Sequence, residues 1–434
     1  MKFFLPLLAL TLLIFAPCRA AEPPTMESAV ALLRPYDGPS SSGVDVTTLD
    51  RKVMTGYQGW FNAEGDGSER GFRHYGARGR FEPGQCSIDL WPDVSELADD
   101  EKYPTSFRHA DGRVAHVFSS RNRTTVLRHF QWMREYGIDG AFVQRFAVET
   151  SSPVPLDHCN RVLAHCREGA NREGRAYAVM YDLSGLRAGG IEQVKTDWKA
   201  LVDRMHLGRD QAYLHHRGKP IVAVWGVGFN DNRAYTLAEC ADLVRFLKDD
   251  PQYGGFCVML GIPTGWRTLT RDSVRDPALH EVLKLADVLS PWMVGRFATP
   301  ADVARHGRDV WRPDMAWCRE HKLDYLPVAF PGFSWHNLRP ESPSNQIPRL
   351  KGQFLWSQYL AAREAGATML YQAMFDEVDE GTAIFKCTND PPVGASPFID
   401  YEGLPSDFYL RLTGSGRMLL RGEIEPTPKV PAGR

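Results

Sequence analysis

The sequence predicts a single-domain (β/α)8 TIM barrel with a long insertion between its first two strands. Eight short, near-continuous apolar runs are spaced along the chain, as strands buried on both faces require. Helical patterns lie between them, and strand alternating with helix is the mark of a parallel barrel. Polar and aromatic residues gather where the runs end, the rim at which such barrels carry function.

Taken in order, residues 1–20 read as an export signal. Lys2 supplies the positive end, Phe3 to Phe15 the apolar segment, and Cys18-Arg19-Ala20 a small-residue cleavage site. That segment is too short to span a bilayer, and no later stretch approaches the ~20 apolar residues a membrane helix needs. A secreted or periplasmic protein without stable membrane insertion is expected. Residues 21–50 form a Pro-, Ser- and Gly-rich lead-in with a helical pattern around Met26 to Leu33. The barrel is expected over 51–424, followed by a tail at 425–434.

The expected strands are Val53–Phe61, Gly140–Phe146, Ala176–Asp182, Pro220–Trp225, Gly255–Gly261, Val288–Met293, Tyr325–Phe330 and Thr368–Phe375. Between them, Val194, Trp198, Leu201, Val202 and Met205 share one helical stripe. Thr236-Leu-Ala-Glu239 is a capping box opening a helix that carries Leu243, Val244 and Leu247. Gly137 and Gly366 stand where left-handed caps should end the helices of Thr124–Tyr136 and Gln353–Glu364. An open doubly wound sheet is the rival fold, and it is disfavoured because no Gly-rich turn follows an early strand.

Composition excludes some functions. The formal charge is −2, with Lys and Arg dispersed, so there is no basic face for nucleic acid. Beyond Cys18 the cysteines are Cys86, Cys159, Cys166, Cys240, Cys257, Cys318 and Cys387, without CxxC spacing or the density of a disulfide scaffold. No zinc site, cofactor motif, Ser-His-Asp or Cys-His context is visible. The tandem His215-His216 precedes the fourth strand, hence lies on the rim opposite the site. Nothing in the pattern specifies an oligomeric state.

The chemistry is expected after the last strand. Phe375-Asp-Glu-Val-Asp-Glu-Gly-Thr-Ala-Ile-Phe385 sends an apolar run into four carboxylates and a glycine turn. Charges at a strand end need water, a cation or a substrate. Paired carboxyl groups are also the standard equipment for breaking a glycosidic bond. On a regular strand Glu377 and Glu380 would face opposite ways, but an end near Phe375 and a turn at Gly381 bring both into one cleft. Crowding should raise at least one carboxyl pKa. A solvated acidic loop and a Ca²⁺ site built from these oxygens are the alternatives.

Candidate catalytic residues are therefore Glu377 and Glu380. Tyr57, Trp60, His74, Trp91, Gln144, Asp182, Trp225, Trp292, Trp335, His336, Gln372 and Asp376 are candidates for contacting a carbohydrate substrate. They lie at strand ends or in the segment between the first two strands, which should fold over the barrel mouth.

Glu377-Val-Asp-Glu380-Gly-Thr-Ala-Ile384 resembles the Glu-Trp-x-Glu-Gly-Thr-x-Ile signature at the last strand of glycoside hydrolase family 99, within the wider 71/99-like group of exported hydrolases. Tyr57 and Trp60 on the first strand and Pro331-Gly-Phe333 after the seventh are similar to that family as well. The resemblance implies a barrel that hydrolyses poly- or oligosaccharide with retention and without a cofactor. It implies that Glu380 is the general acid/base. Glu377 would take the proton of the sugar 2-hydroxyl, so that the substrate's own oxygen attacks the anomeric carbon. Val378 stands where the motif has tryptophan, Asp376 where the family has asparagine, and Phe385 where a further glutamate is common.

Overall fold

The computed structural model describes residues 22–431; the expected export signal lies outside them. Eight parallel strands build the barrel. They are β1 Val53–Tyr57, β2 Gly140–Phe146, β3 Ala176–Asp182, β4 Lys219–Trp225, β5 Cys257–Ile262, β6 Val288–Pro291, β7 in two pieces, Asp324–Tyr325 and Val328–Ala329, and β8 Leu370–Gln372. Each pairs with its successor, and β8 returns to β1 in the register Val53↔Leu370.

The seventh apolar run is where the expectation needs correcting. Its first piece pairs with β6 and its second with β8, so the ring closes through the covalent chain at Leu326-Pro327. Pro327 has no amide to donate. Its carbonyl instead accepts the Tyr371 amide at 2.9 Å, while Leu326 donates to Leu289 at 2.9 Å.

Helices follow the strands: α1 Arg123–Glu135, α2 Pro153–Glu173, α3 Ile191–Ala200, α4 Leu237–Asp249, α5 Ala278–Leu283, α6 as Pro300–His306 continued by Arg312–Glu320, α7 Gln353–Ala365 and α8 Phe408–Arg421. The Thr236/Glu239 capping box forms. Gly137 and Gly366 adopt φ of +74° and +98°, the left-handed conformation a non-glycine residue adopts at a penalty. In the stripe after β3, Val194, Trp198, Leu201 and Met205 are buried, while Val202 is half-buried. The lead-in folds a short helix, Met26–Val30, whose Ala29 carbonyl accepts the Asn160 side-chain amide of α2 at 2.8 Å.

The amino-terminal rim is a ring of paired charges. Asp139 accepts the Val53 amide at 2.9 Å and pairs with Arg417 and Arg421 at 3.0 and 2.9 Å. Asp287 repeats the arrangement with the Val258 amide at 2.8 Å and Lys248 at 2.9 Å. Asp324 joins His216 at 2.9 Å and Arg217 at 2.7 Å. His216 thus sits on the rim expected for it. These contacts tie strand starts to neighbouring strands and helices, so this end is built for cohesion.

At the other end, residues 58–122 form the insertion. It contains an antiparallel hairpin, Tyr103–Arg108 with Val114–Val117, and an apolar centre of Tyr75, Phe81, Trp91 and Phe107. No helix among the described residues is long and apolar enough to cross a membrane.

Candidate active site

β1 and β8 stop short of their apolar runs, and the reason makes the site. Beyond Tyr57 the amides of Gln58 and Gly59 leave the ladder and donate to the two oxygens of Asp376, each at 2.8 Å. Beyond Gln372 the chain continues through Ala373, whose amide reaches Ala329 at 2.8 Å, and Phe375, whose amide reaches Gly56 at 2.7 Å. The Ala373–Met374 peptide is cis. The chain then turns back on itself. The Glu377 carbonyl accepts the amides of Thr382 and Ala383 at 3.2 and 2.9 Å. Gly381 sits at φ +63°, where a Cβ would lie 2.9 Å from the Ser334 amide. The expected turn at Gly381 is therefore the turn that is made, and only glycine fits it without displacement.

This loop holds the two glutamates differently. Glu377 is 3% exposed. One of its oxygens accepts the Gln58 side-chain amide and the other the Thr382 hydroxyl, each at 2.5 Å. Burial, then the adjacent Glu380 charge, raises its pKa well above the usual carboxyl range. Glu380 is half-buried, and its carboxyl makes no hydrogen bond to the protein among the described residues. Burial and then Asp379 lift Glu380 to about 8, against the pull of Arg339. Asp379 is lifted to about 8 by burial, with Asp89 adding to it. Asp376 is lifted to about 7 by burial, opposed by the Gly59 and Gln58 amides. At neutral pH such a cluster retains protons that isolated carboxyls would lose.

A cleft of about 890 Å³ opens above the loop, lined among others by Trp60, Arg73, His74, Leu338, Asp379 and Glu380. Its far wall belongs to the insertion, which thus folds over the mouth as expected. The His74 ring stacks on Trp60 at 4.0 Å and 4°, and its Nδ1 lies 3.5 Å from Asp379. The insertion is anchored to the acidic loop. The Val378 carbonyl accepts the amides of Asp89 and Leu90 at 3.0 and 3.2 Å. The Asp89 carboxylate in turn receives the Ser334 hydroxyl and the amides of His336 and Asn337, the latter two at 2.8 Å.

The other predicted residues divide. At the barrel mouth, Trp225 and Trp292 meet edge to face at 5.8 Å, with Tyr371 next to Trp292 at 6.2 Å. Gln144 donates to the Tyr371 hydroxyl at 3.1 Å. Asp182 caps the Ser184 amide at 2.7 Å, and its charge reaches Glu380. Trp335 is half-buried beside Phe333, and His336 spends Nδ1 on the Ser342 carbonyl at 2.7 Å.

Four expected contacts point elsewhere. Tyr57 is buried outside the ring with its hydroxyl on His129 of α1 at 2.8 Å. Gln372 is fully buried against Tyr359 of α7 at 2.5 Å. Side chains alternate along a strand, so Tyr371 faces inward and Gln372 outward. Trp91 is 1% exposed in the insertion's core, its indole donating to the His116 carbonyl at 3.0 Å. Asp376 is occupied by two backbone amides, so it supports the loop rather than meeting a ligand.

Asp379, Asp89, Gln58 and Thr382 were not among the expected site residues. Thr382 and Gln58 were within reach of the sequence, since a buried glutamate needs donors and both flank it in the two motifs. Asp89 belongs to the long insertion, where no periodicity gives its direction. No group of three or more His, Cys, Asp or Glu side chains among the described residues is arranged to hold a metal ion.

Comparison with known proteins agrees with this architecture. The sequence model of glycosyl hydrolase family 99 matches residues 286–417. A glycoprotein endo-alpha-1,2-mannosidase-like protein of Danio rerio is 29% identical over 103 residues, which are 24% of this chain and only 23% of that relative. The GH99 endo-alpha-mannosidase structure from Bacteroides thetaiotaomicron superposes with a TM-score of 0.62 at 18% identity, covering 86% of this chain and 99% of that one. A structure described as a glycoside hydrolase-like protein gives a TM-score of 0.53 at 13% identity, covering 89% and 98%. The chain is thus similar in sequence to glycoside hydrolase family 99 over residues 286–417 and shares the barrel fold of the GH99 endo-alpha-mannosidase structure.

Proposed function

We propose that this protein is an exported glycoside hydrolase that cleaves α-linked oligo- or polysaccharide with retention, using Glu380 as acid/base and Glu377 as the base on the sugar itself. One observation carries the reading: the two glutamates share a loop, yet Glu377 is buried and tied by two donors while Glu380 lines the cleft without a hydrogen bond to its carboxyl.

That asymmetry suits two roles. A general acid must reach the leaving-group oxygen and be protonated near neutral pH. Glu380 is unbonded, faces the cleft and has its pKa lifted to about 8. A base for a ring hydroxyl must stay in place and be negative before the step, so that it can take the hydroxyl proton as the acid gives up its own. The Gln58 amide and Thr382 hydroxyl hold both Glu377 oxygens, and donors of this kind favour the charged form. The two carboxyls titrate as a pair, so a proton leaving one makes it easier for the other to hold its own.

As Glu380 protonates the departing oxygen, Glu377 draws the 2-hydroxyl proton, and that oxygen closes on the anomeric carbon. Water, deprotonated by Glu380, then attacks the anomeric carbon and breaks its bond to the 2-oxygen, which takes its proton back from Glu377, and the original configuration is restored. Trp60 with its stacked His74 offers an apolar wall for a sugar face. The α-mannosidase names among the relatives suggest manno-oligosaccharides as first probes. The test is a screen of defined α- and β-linked oligosaccharides with NMR detection of the first-formed anomer. Release of an α-product from an α-linkage is expected; first-formed inverted product, or cleavage confined to β-linkages, would refute the mechanism.

A further inference from the structure

We infer that Asp379 is a substrate-contacting residue whose unpaired carboxyl oxygen hydrogen-bonds a sugar hydroxyl next to the bond that Glu380 protonates. The inference rests on the glycosidase reading and adds to it a residue and a substrate requirement.

Asp379 lies between the two glutamates and lines the cleft with Trp60, His74 and Glu380. Its side chain is only 5% exposed. Oδ2 faces His74 Nδ1 at 3.5 Å, but Oδ1 is buried without a hydrogen-bond partner among the described residues. A buried polar atom left unpaired carries a desolvation penalty, and this one belongs to a residue of the cleft lining.

His74 fixes which oxygen is left over. Its ring is clamped flat on Trp60, its backbone sits at φ +64°, and its carbonyl accepts the Ser87 hydroxyl at 2.7 Å. Burial, reinforced by Arg73, keeps the imidazole neutral, with a pKa of about 3. It therefore orients Asp379 without neutralising it. The other charged groups acting on this corner are Glu377, Glu380, Asp89, Asp182 and Glu149, opposed by Arg339 at Glu380 and by Arg70 and Arg73 at His74. A ring hydroxyl both donates and accepts, so it satisfies Oδ1 whether Asp379 is charged or protonated. A deoxy or O-substituted position there would leave the oxygen orphaned, and sites built on such a contact reject the lacking analogue strongly.

The experiment uses the full chain as wild type, Asp379→Ala, Asp379→Asn and Glu380→Gln. The probes are an α-linked manno-oligosaccharide and its monodeoxy analogues. Turnover is followed by NMR, and binding to Glu380→Gln by calorimetry. Asp379→Ala should lower kcat/KM roughly tenfold to a hundredfold on the parent sugar. One deoxy analogue should suffer the same loss with wild type and little further loss with Asp379→Ala. Asp379→Asn, which keeps the shape and an acceptor, should recover part of the loss and guards against a folding defect. Wild-type turnover with identical deoxy discrimination in wild type and Asp379→Ala would overturn the inference alone. No turnover by wild type and no binding to Glu380→Gln would overturn the glycosidase reading with it.

Discussion

At the amino-terminal rim, Asp139 sits between Arg417 and Arg421, Asp287 meets Lys248, and Asp324 meets Arg217 and His216. At the carboxyl rim, Asp376, Glu377, Asp379 and Glu380 fall within five consecutive residues, and none forms an ion pair with a lysine or arginine among the described residues; the basic side chain against them is the neutral His74, with Arg339 acting on Glu380 without pairing. Both ends bury acids, but only one neutralises them. Paired carboxylates hold strands and helices together, whereas unpaired buried ones oppose folding and hold protons near neutral pH. The barrel confines that strain to the rim where its cleft opens, which is the usual trade of stability for reactivity at a site.

The comparison can be broken first at the chemistry. Glu377→Gln should lower kcat by roughly 10²–10⁴, measured on any oligosaccharide the wild type cleaves, with the melting temperature unchanged or higher. Next comes the opposite rim. Asp139→Ala leaves two arginines and the Val53 amide without their acceptor. It should destabilise the fold by about 2–3 kcal/mol, the buried-pair loss reduced because both arginines are partly exposed. Denaturant titration would check it, with kcat preserved at temperatures where the variant is folded.

pH separates the rims. Asp376, Asp379 and Glu380 have folded values of about 7, 8 and 8, above the 3.8, 3.8 and 4.5 of free carboxyls. From pH ~4 to ~8 these three groups bind fewer protons in the unfolded chain than in the folded one, so their contribution to stability falls as pH rises; His74, His129 and His158, lowered by burial to about 3, act the opposite way below pH ~6.5. Asp324 goes the other way. Burial raises its pKa, but the bonds from His216 and Arg217 outweigh that, so the net value lies below 3.8. Its contribution is present above pH ~4 and lost on further acidification. The melting temperature should fall between pH ~6.5 and ~8, where the histidines no longer titrate, and Asp376→Asn should flatten that decline by roughly 1–3 °C at pH 8. The smallest expected effect is that of a chelator. With no metal-ligand cluster among the described residues, EDTA should leave kcat/KM unchanged.

Much of the barrel was legible because burial on both faces writes apolar runs directly into the sequence. Val53, Gly140, Ala176 and Val288 each begin a strand where the run begins. The seventh strand was not, since a run of apolar residues does not reveal that Pro327 divides it between two partners. In the acidic loop, the turn at Gly381 that brings Glu377 and Glu380 to the carboxyl rim was readable from the motif. Tyr57 and Gln372 were misplaced because strand ends were taken as pointing to the cleft, when alternation sends every second side chain toward the helices. Trp91 and Asp89 lie in the insertion, whose folding depends on contacts distant in sequence, such as Asp89 with Ser334, rather than on any local period.

The central claim is that the unpaired rim carboxyls serve catalysis at the expense of stability, and Glu380→Gln tests both halves in one preparation. Turnover of a natural α-linked oligosaccharide should drop at least ~10³-fold, with partial recovery on aryl glycosides carrying good leaving groups. The melting temperature at pH 8 should rise rather than fall. Undiminished turnover, or a lower melting temperature at pH 8, would contradict the account.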